Sequence, residues 1–230
     1  MWDELVREFT QNFIEKERWR YLWNGLGRTL LITLGAVALG IVLGFLVAAV
    51  RTTYDKTHRL KVLNAIAKIY LTVIRGTPAM IQLLLIYYGV FSAVKIDKLM
   101  VAIFAFGINS GAYVAEIVRS GIMAVDAGQM EAGRSLGLGY VQTMWYIIMP
   151  QAFKNVLPAL GNEFIVLLKE TSVAGYIGLE DLTKGGDVIR SQTFSAFMPL
   201  IAVALIYLAF VMLLSAGVGK LERRLKNSDR

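Results

Sequence analysis

The chain has 230 residues, is 56% hydrophobic and only 18% charged, and carries a formal net charge of +7. Soluble domains carry about a quarter charged residues, so this balance favours a membrane protein, and the cationic excess fits loops that fix orientation and meet anionic headgroups better than it fits nucleic acid. There is no cysteine and a single histidine, His58 in a basic loop, which excludes disulfides, thiolate metal sites and cysteine nucleophiles and argues against a zinc site or a histidine acid–base pair within one chain.

Residues 1–24 mix acids and bases and lack the short apolar core and small-residue cleavage site of a secretory signal. Trp2, Leu5, Val6, Phe9 and Phe13 fall on one face of a helix, which favours an N-terminal interfacial amphipathic segment over a disordered tail.

A helix needs about 20 residues to cross the hydrocarbon. Gly25 to Val50 qualifies, with Arg28 near one end where it can snorkel. Val62 to Val94 is longer and is interrupted by Arg75-Gly76-Thr77-Pro78. Pro78 has no N–H, clashes with the carbonyl four residues back and biases Thr77 away from helix. The freed backbone groups must be satisfied by protein or by cavity water. Two readings stand: a kink that helps packing, or a break that lines a translocation path with Thr77 and Gln82. Leu99 to Val118 is the third span. Asn109 and Tyr113 share a face there and can bond either a substrate's amino or carboxylate group or a neighbouring helix. Glu116 and Arg119 are expected to pair at i, i+3. Gly40-xxx-Gly44 and Gly107-xxx-Gly111 permit close helix approach, for which packing within the chain is the simpler explanation.

The segment from Asp126 to Pro150 is too polar to cross a bilayer. Asp126 can cap a short helix with Gln129 as its capping-box partner. Gly137 and Gly139 allow a sharp turn. Val141, Met144, Trp145 and Ile148 then collect on one face of a second helix. Such a pair either offers a rigid knob to a partner in the aqueous phase, which the cap, the apolar knob and the glycine hinge fit better, or is an interfacial hairpin touching only lipid headgroups.

Asn155 to Gly178 is a fourth span, with Asn162 and Glu163 roughly 12 Å inside it. A carboxylate at that depth is costly and faces a helix or a water-filled cavity. It is either buried against Arg75 or Lys68, or it forms a wall of a substrate cavity and favours a cationic side chain such as arginine or lysine. Thr171 and Ser172 belong to a gate or cap the span. Phe197 to Gly217 is the fifth span. The expected architecture is all-α and polytopic: an interfacial segment over 1–24, a membrane domain over 25–218 with the projecting segment at 126–150, and a cytoplasmic basic tail over 219–230. Five spans put the ends on opposite sides. With the N-terminus outside, the cations of the Arg51–Lys61 loop and of the tail fall in the cytoplasm. The N-terminal residues are also rich in Lys and Arg, and N-out, C-in is expected because it puts the helix pair where a cytoplasmic partner reaches it.

Glu131 and Ala132, Gly137, Ile147 and Pro150 together resemble the EAA loop of ABC importer permeases: EAA, three residues, Gly, nine residues, Ile, two residues, Pro. Gly133 replaces the last Ala and Met149 stands where Leu is usual, and both should leave the surface usable. Arg75-Gly76-Thr77-Pro78, the run Asn109 to Glu116, Asn162-Glu163 and the run Lys169 to Ser172 resemble the polar amino acid (histidine/glutamine/arginine-type) branch of that family. The resemblance covers roughly residues 21 to 225. It implies a type I importer permease fold and the transmembrane subunit of an ATP-driven importer of polar amino acids in a prokaryotic cell membrane. It also implies coupling through Glu131, Ala132, Gly133, Arg134, Gly137, Trp145, Ile147 and Pro150 to two ATPase subunits. The further partners it implies are a second permease, identical or related, an extracytoplasmic amino-acid-binding protein and membrane lipid. The substrate residues are then Glu163, Asn162, Asn109, Tyr113, Thr77 and Gln82, with no catalytic or metal-binding residue. The chain has no Gly-x4-Gly-Lys-Ser/Thr phosphate cradle, so it is expected to be no enzyme and to hold no cofactor, with ATP and Mg bound by the partner ATPase. The rival reading is a passive channel or ion-coupled carrier for a small polar solute, which would not need the projecting helix pair.

Overall fold

The computed structural model describes residues 2–227; Met1 and residues 228–230, which include Arg230 of the basic tail, lie outside the described residues. Among the described residues all regular structure is helical. The chain enters as α1 (Trp2–Phe9), a π turn (Thr10–Ile14) and a 3-10 turn (Glu15–Glu17), then runs through α2 (Trp19–Thr57). The amphipathic segment is therefore shorter than its periodicity suggests. Trp2, Leu5, Val6 and Phe9 are exposed, but Phe13 is buried with Leu22, Leu26, Leu182, Ile189 and Val203. The expected boundary at 24/25 falls inside α2.

The interrupted second span is α3 (Lys61–Gly76), α4 (Ala79–Leu85) and a π turn (Ile86–Val90), bent by 110° at the Thr77-Pro78 break. Helix α5 (Lys98–Met123) is capped by Asp97, whose carboxylate accepts from the Leu99 amide at 2.7 Å. Its interface with α2 is the most extensive in the molecule. The two small-residue motifs make that interface: a Cβ on Gly40 would sit 2.9 Å from Ser110, and one on Gly107 would sit 2.6 Å from Leu39. Both motifs pack within the chain.

The projecting segment is α6 (Ala127–Ser135), then α7 (Tyr140–Thr143). Helix α7 does not end before the fourth span. It passes through a π turn (Met144–Ile148) into α8 (Met149–Glu170). Pro150 cannot donate to Tyr146 and crowds its carbonyl, so a widened turn directly before it relieves the conflict. After a 3-10 stretch (Thr171–Ile177) comes α9 (Leu182–Thr193), a helix that the expected spans do not include. Last, α10 (Phe197–Asn227) carries on past residue 218, so residues 219–227 continue the helix instead of forming a separate tail.

Within α2, α5 and α10 lie stretches long and apolar enough to cross a membrane, and the bent α3–α4 pair makes a fourth candidate. Helix α8 is not among them, because Lys154, Asn155, Asn162 and Glu163 dilute its apolar run. The buried core joins Ile32, Leu83, Phe106 and Leu167 between α2, α4, α5 and α8.

Candidate functional site

A polar seam runs along α5 between the bent α3–α4 pair and α8. It starts at the bend. The Gln82 side-chain amide donates to the carbonyls of Ile74 (2.7 Å) and Thr77 (3.0 Å) and to the Thr77 hydroxyl (2.7 Å). Ile74 is the residue four before Pro78, so Gln82 supplies the donor that proline lacks. Its carbonyl end accepts from Asn109 at 2.9 Å, tying the bend to α5. Gln82 and Asn109 are buried while Thr77 is exposed. Gln82 and Asn109 thus pack the break, and the exposed Thr77 carries a hydroxyl that donates to the Val73 carbonyl at 2.8 Å and accepts from Gln82.

One turn further along α5, the Arg75 guanidinium lies 5.9 Å from the centre of the Tyr113 ring and 3.7 Å from the Glu116 carboxylate. The expected Glu116–Arg119 pair does not form: Glu116 turns to Arg75, and Arg119 reaches Asp55 at 3.4 Å. Arg75 and Glu116 are half-exposed members of the seam that pattern reading within one helix missed. The available signal was position, since Arg75 flanks the break and Glu116 lies seven residues after Asn109, on its face.

Glu163 is buried on α8, and its carboxylate accepts from the Ser110 hydroxyl at 2.8 Å. Among the described residues no ion pair with Arg75 or Lys68 forms. Asn162, its neighbour, is exposed. The structure thus links Thr77, Gln82 and Asn109, sets Tyr113 against Arg75, and holds Glu163 on the other side of α5.

In the projecting segment Asp126 caps α6 through the Gly128 amide at 2.6 Å. Gln129 does not complete a capping box; its side chain accepts from Gln151. The back-reaching glutamine is Gln142, which accepts from the Gly139 amide at 2.9 Å and fixes the start of α7. The turn rests on Gly137 alone, at φ +85°, with Leu138 N–H bonding Gly133 and Gly137 N–H bonding Arg134. Gly139 is extended at φ −66°. Glu131, Ala132, Arg134, Gly137 and Pro150 are exposed; Gly133 is buried, and a Cβ there would meet Thr143 at 2.5 Å and Ile147 at 2.9 Å. Val141, Met144 and Trp145 turn toward α2, whereas Ile148 is buried. The surfaces that project are Leu136 and Tyr146.

At the opposite end, α9 is stapled to the start of the chain. Thr193 donates to Asn12 at 2.7 Å, and Arg18 to Gln192 at 3.3 Å. Arg28 bridges to Glu180 at 2.8 Å. Asp181 caps α9 through the Lys184 amide and is fully buried, with its second carboxylate oxygen lacking a partner among the described residues. Burial pushes its pKa from 3.8 to about 6, against the backbone amides of Lys184 and Thr183. Asp187, bonded by Lys184 and Arg190, is held below the usual carboxylate range.

The model for the family described as "Binding-protein-dependent transport system inner membrane component" matches residues 40–227. The chain is 37% identical over 211 residues to the arginine transport system permease protein ArtQ of Bacillus subtilis (strain 168), covering 91% of this chain and 94% of that one. It is 36% identical over 218 residues to the glutamine transport system permease protein GlnP of Escherichia coli (strain K12), covering 90% and 97%. A solved amino acid ABC transporter with histidines superposes with a TM-score of 0.85 at 43% identity, covering 92% of this chain and 98% of that one. The inward-facing MetNI methionine ABC transporter shares the fold at a TM-score of 0.76 and 20% identity, covering 89% and 95%.

Proposed function

The chain belongs to the binding-protein-dependent transport system inner membrane component family and is a multi-pass membrane permease subunit of an amino acid ABC importer, and on that premise we propose how it selects and moves its cargo. The cargo is a polar amino acid, and the observation that carries this reading is Glu163: a buried carboxylate held by Ser110, with no cation paired to it among the described residues. Where that carboxylate is ionised, it favours a cationic side chain such as arginine or lysine. Arg75 and Glu116, half open and opposite in charge, suit the α-carboxylate and α-ammonium of the cargo. Thr77 and Tyr113 extend the Arg75 side of the route, Asn162 stands beside Glu163 across α5, and Gln82 with Asn109 sets the shape of the break.

The chain works as one of two permease halves, a second copy or a related chain, with the N-terminus outside and the C-terminus in the cytoplasm. An extracytoplasmic binding protein delivers the amino acid. ATP and Mg are bound and used by two partner ATPase subunits, which grip the segment from Glu131 to Pro150 through Glu131, Ala132, Arg134 and the Gly137 turn, with Gly133, Trp145, Ile147 and Pro150 holding its shape. The unbroken helical path from Tyr140 to Glu170 supports this. From Pro150 to Glu163 is thirteen residues, about 20 Å of helix; α8 stays helical through Pro158, so a push on the projecting segment reaches Glu163 along one continuous helix. Rigid-body coupling of this kind switches a bundle between outward- and inward-open states.

The test is uptake by the assembled transporter in liposomes, with arginine, glutamine and glutamate as competitors. Glu163→Gln is expected to lose the preference for arginine; an unchanged preference would reject the assignment. Transport that survives ATP depletion would instead favour a channel or ion-coupled carrier.

A further inference from the structure

An open groove of about 640 Å³ lies between α2, the end of α5 and the π turn that joins α7 to α8. Its floor on α2 runs from Ile41 through Leu46 to Thr52 and Thr53, and its opposite wall is formed by Val118, Met144 and Trp145. The groove is graded. It is apolar toward the middle of α2 and becomes hydroxylated toward the basic α2–α3 loop, where the Thr52 hydroxyl is buried without a partner among the described residues. Leu46 and Trp145 are 61% and 65% exposed, so the groove opens on the same apolar surface that α2 turns toward the bilayer.

From Ile41 to Thr53 is twelve steps, about 18 Å of helix. One leaflet of hydrocarbon is roughly 15 Å deep, half of a core of about 30 Å. We propose that the groove is a binding site for the acyl chain of one phospholipid from the leaflet on the coupling side. The chain lies along Ile41 and Leu46, with its ester group at Thr52 and Thr53. The direction of the polarity gradient selects this occupant, because a lipid in that leaflet presents apolar tail and polar ester in the same order. Thr52 and Thr53 give that end of the groove the polar lining that the ester meets. Trp145 covers the site at the level where aromatic rings sit in membranes. A protein partner approaching from the aqueous side would instead meet Leu136 and Tyr146, which do not line the groove.

Trp145 reports on the site directly, since the other tryptophans, Trp2, Trp19 and Trp23, lie at the N-terminal end of the chain. The full chain with those three changed to Phe would be placed in phosphatidylcholine vesicles whose acyl chains carry bromine. Bromine is expected to quench Trp145, and Ala49→Leu, which fills the groove from an exposed position on α2, is expected to lose that quenching. Equal quenching in both proteins would mean that the ring meets only bulk lipid, and absence of quenching in both would mean that it meets none; either result overturns the proposal. Native mass spectrometry of the purified full chain gives a second reading on folded protein. The parent should retain a phospholipid that Ala49→Leu and Met144→Phe release, and equal retention in all three refutes the site.

Discussion

The side-chain nitrogen of Gln82 lies 2.7 Å from the carbonyl oxygen of Ile74, the acceptor that Pro78 leaves without its helical donor. A proline break inside apolar surroundings frees backbone groups that cost free energy unless they are paired. Gln82→Leu removes that repair and also leaves Asn109 without its partner. The expected loss is about 1–3 kcal/mol, the range for stranding a buried polar group, read as a lower thermal midpoint of the full chain in detergent. Pro78→Ala supplies an N–H and frees Thr77, extended at φ −124° and ψ 146°, to return to helix so that this N–H bonds Ile74; Gln82→Leu should therefore cost less in that background. Strictly additive costs in the double-mutant cycle would show that the two residues do not share the acceptor.

Gly133 stands where the family motif has alanine, and the structure gives that difference a consequence. An added Cβ would lie 2.5 Å from Thr143 Cγ2 and 2.9 Å from Ile147 Cδ1. Overpacking of this sort costs about 1–3 kcal/mol. Gly133→Ala should therefore prise α6 from α7 and lower transport per ATP hydrolysed in liposomes. Thr143→Ser removes the offending methyl and keeps the hydroxyl that bonds Gly139. The double variant should recover most of the coupling ratio. Failure of Thr143→Ser to rescue would place the defect elsewhere.

Local signals in the sequence carried far. The Pro78 break, the Asp126 cap and the αL turn at Gly137 are each dictated within a few residues, and each is found in place. Pairings across helices were another matter. The i, i+3 spacing of Glu116 and Arg119 predicts a pair, yet the partner of Glu116 is Arg75 on another helix, and Arg119 goes to Asp55 on α2. Side chains near helix ends can reach several neighbours, and only the packing chooses among them. Helix α9 escaped because Thr183, Gly185 and Gly186 weaken its propensity. Its burial against α2 and α10 supplies what propensity lacks: a Cβ on Gly185 would lie 2.5 Å from the Tyr21 carbonyl and one on Gly186 would meet Val203. The run from α7 into α8 does not show in the apolar pattern, because Gln151, Lys154 and Asn155 interrupt it, although the π turn before Pro150 lets the helix pass.

Asp181 predicts a pH dependence. Its folded-state pKa, about 6, lies above the 3.8 of the free side chain because burial disfavours the charge. Lys184 on α9 contributes a favourable charge, and the Tyr207 hydroxyl on α10 lies 3.4 Å from that of Thr183. A carboxyl that holds its proton more tightly when folded stabilises the protein fully below about pH 4, and that contribution is lost as the pH rises through about 6. Asn can retain the cap on the Lys184 amide without carrying charge. The difference in thermal midpoint between Asp181→Asn and the parent should thus grow in the variant's favour between pH 4 and 7. A difference that stays flat over that interval would mean that Asp181 does not titrate there.

The Arg75–Glu116 pair separates a structural role from a transport role. At 3.7 Å and with side chains 46% and 33% exposed, it contributes about 0–1 kcal/mol to stability. Glu116→Gln should therefore shift the thermal midpoint little. If the pair meets the charged ends of the cargo, uptake should fall well beyond that small change. Exchanging the charges, with Arg75→Glu and Glu116→Arg together, keeps the attraction between the residues and reverses what they offer the amino acid. The exchanged protein should unfold like the parent and still fail in uptake, since a carboxylate would now face a carboxylate. Recovery of transport in the exchanged protein would show that the attraction across α3 and α5, and not the placement of each charge, is what the pair supplies.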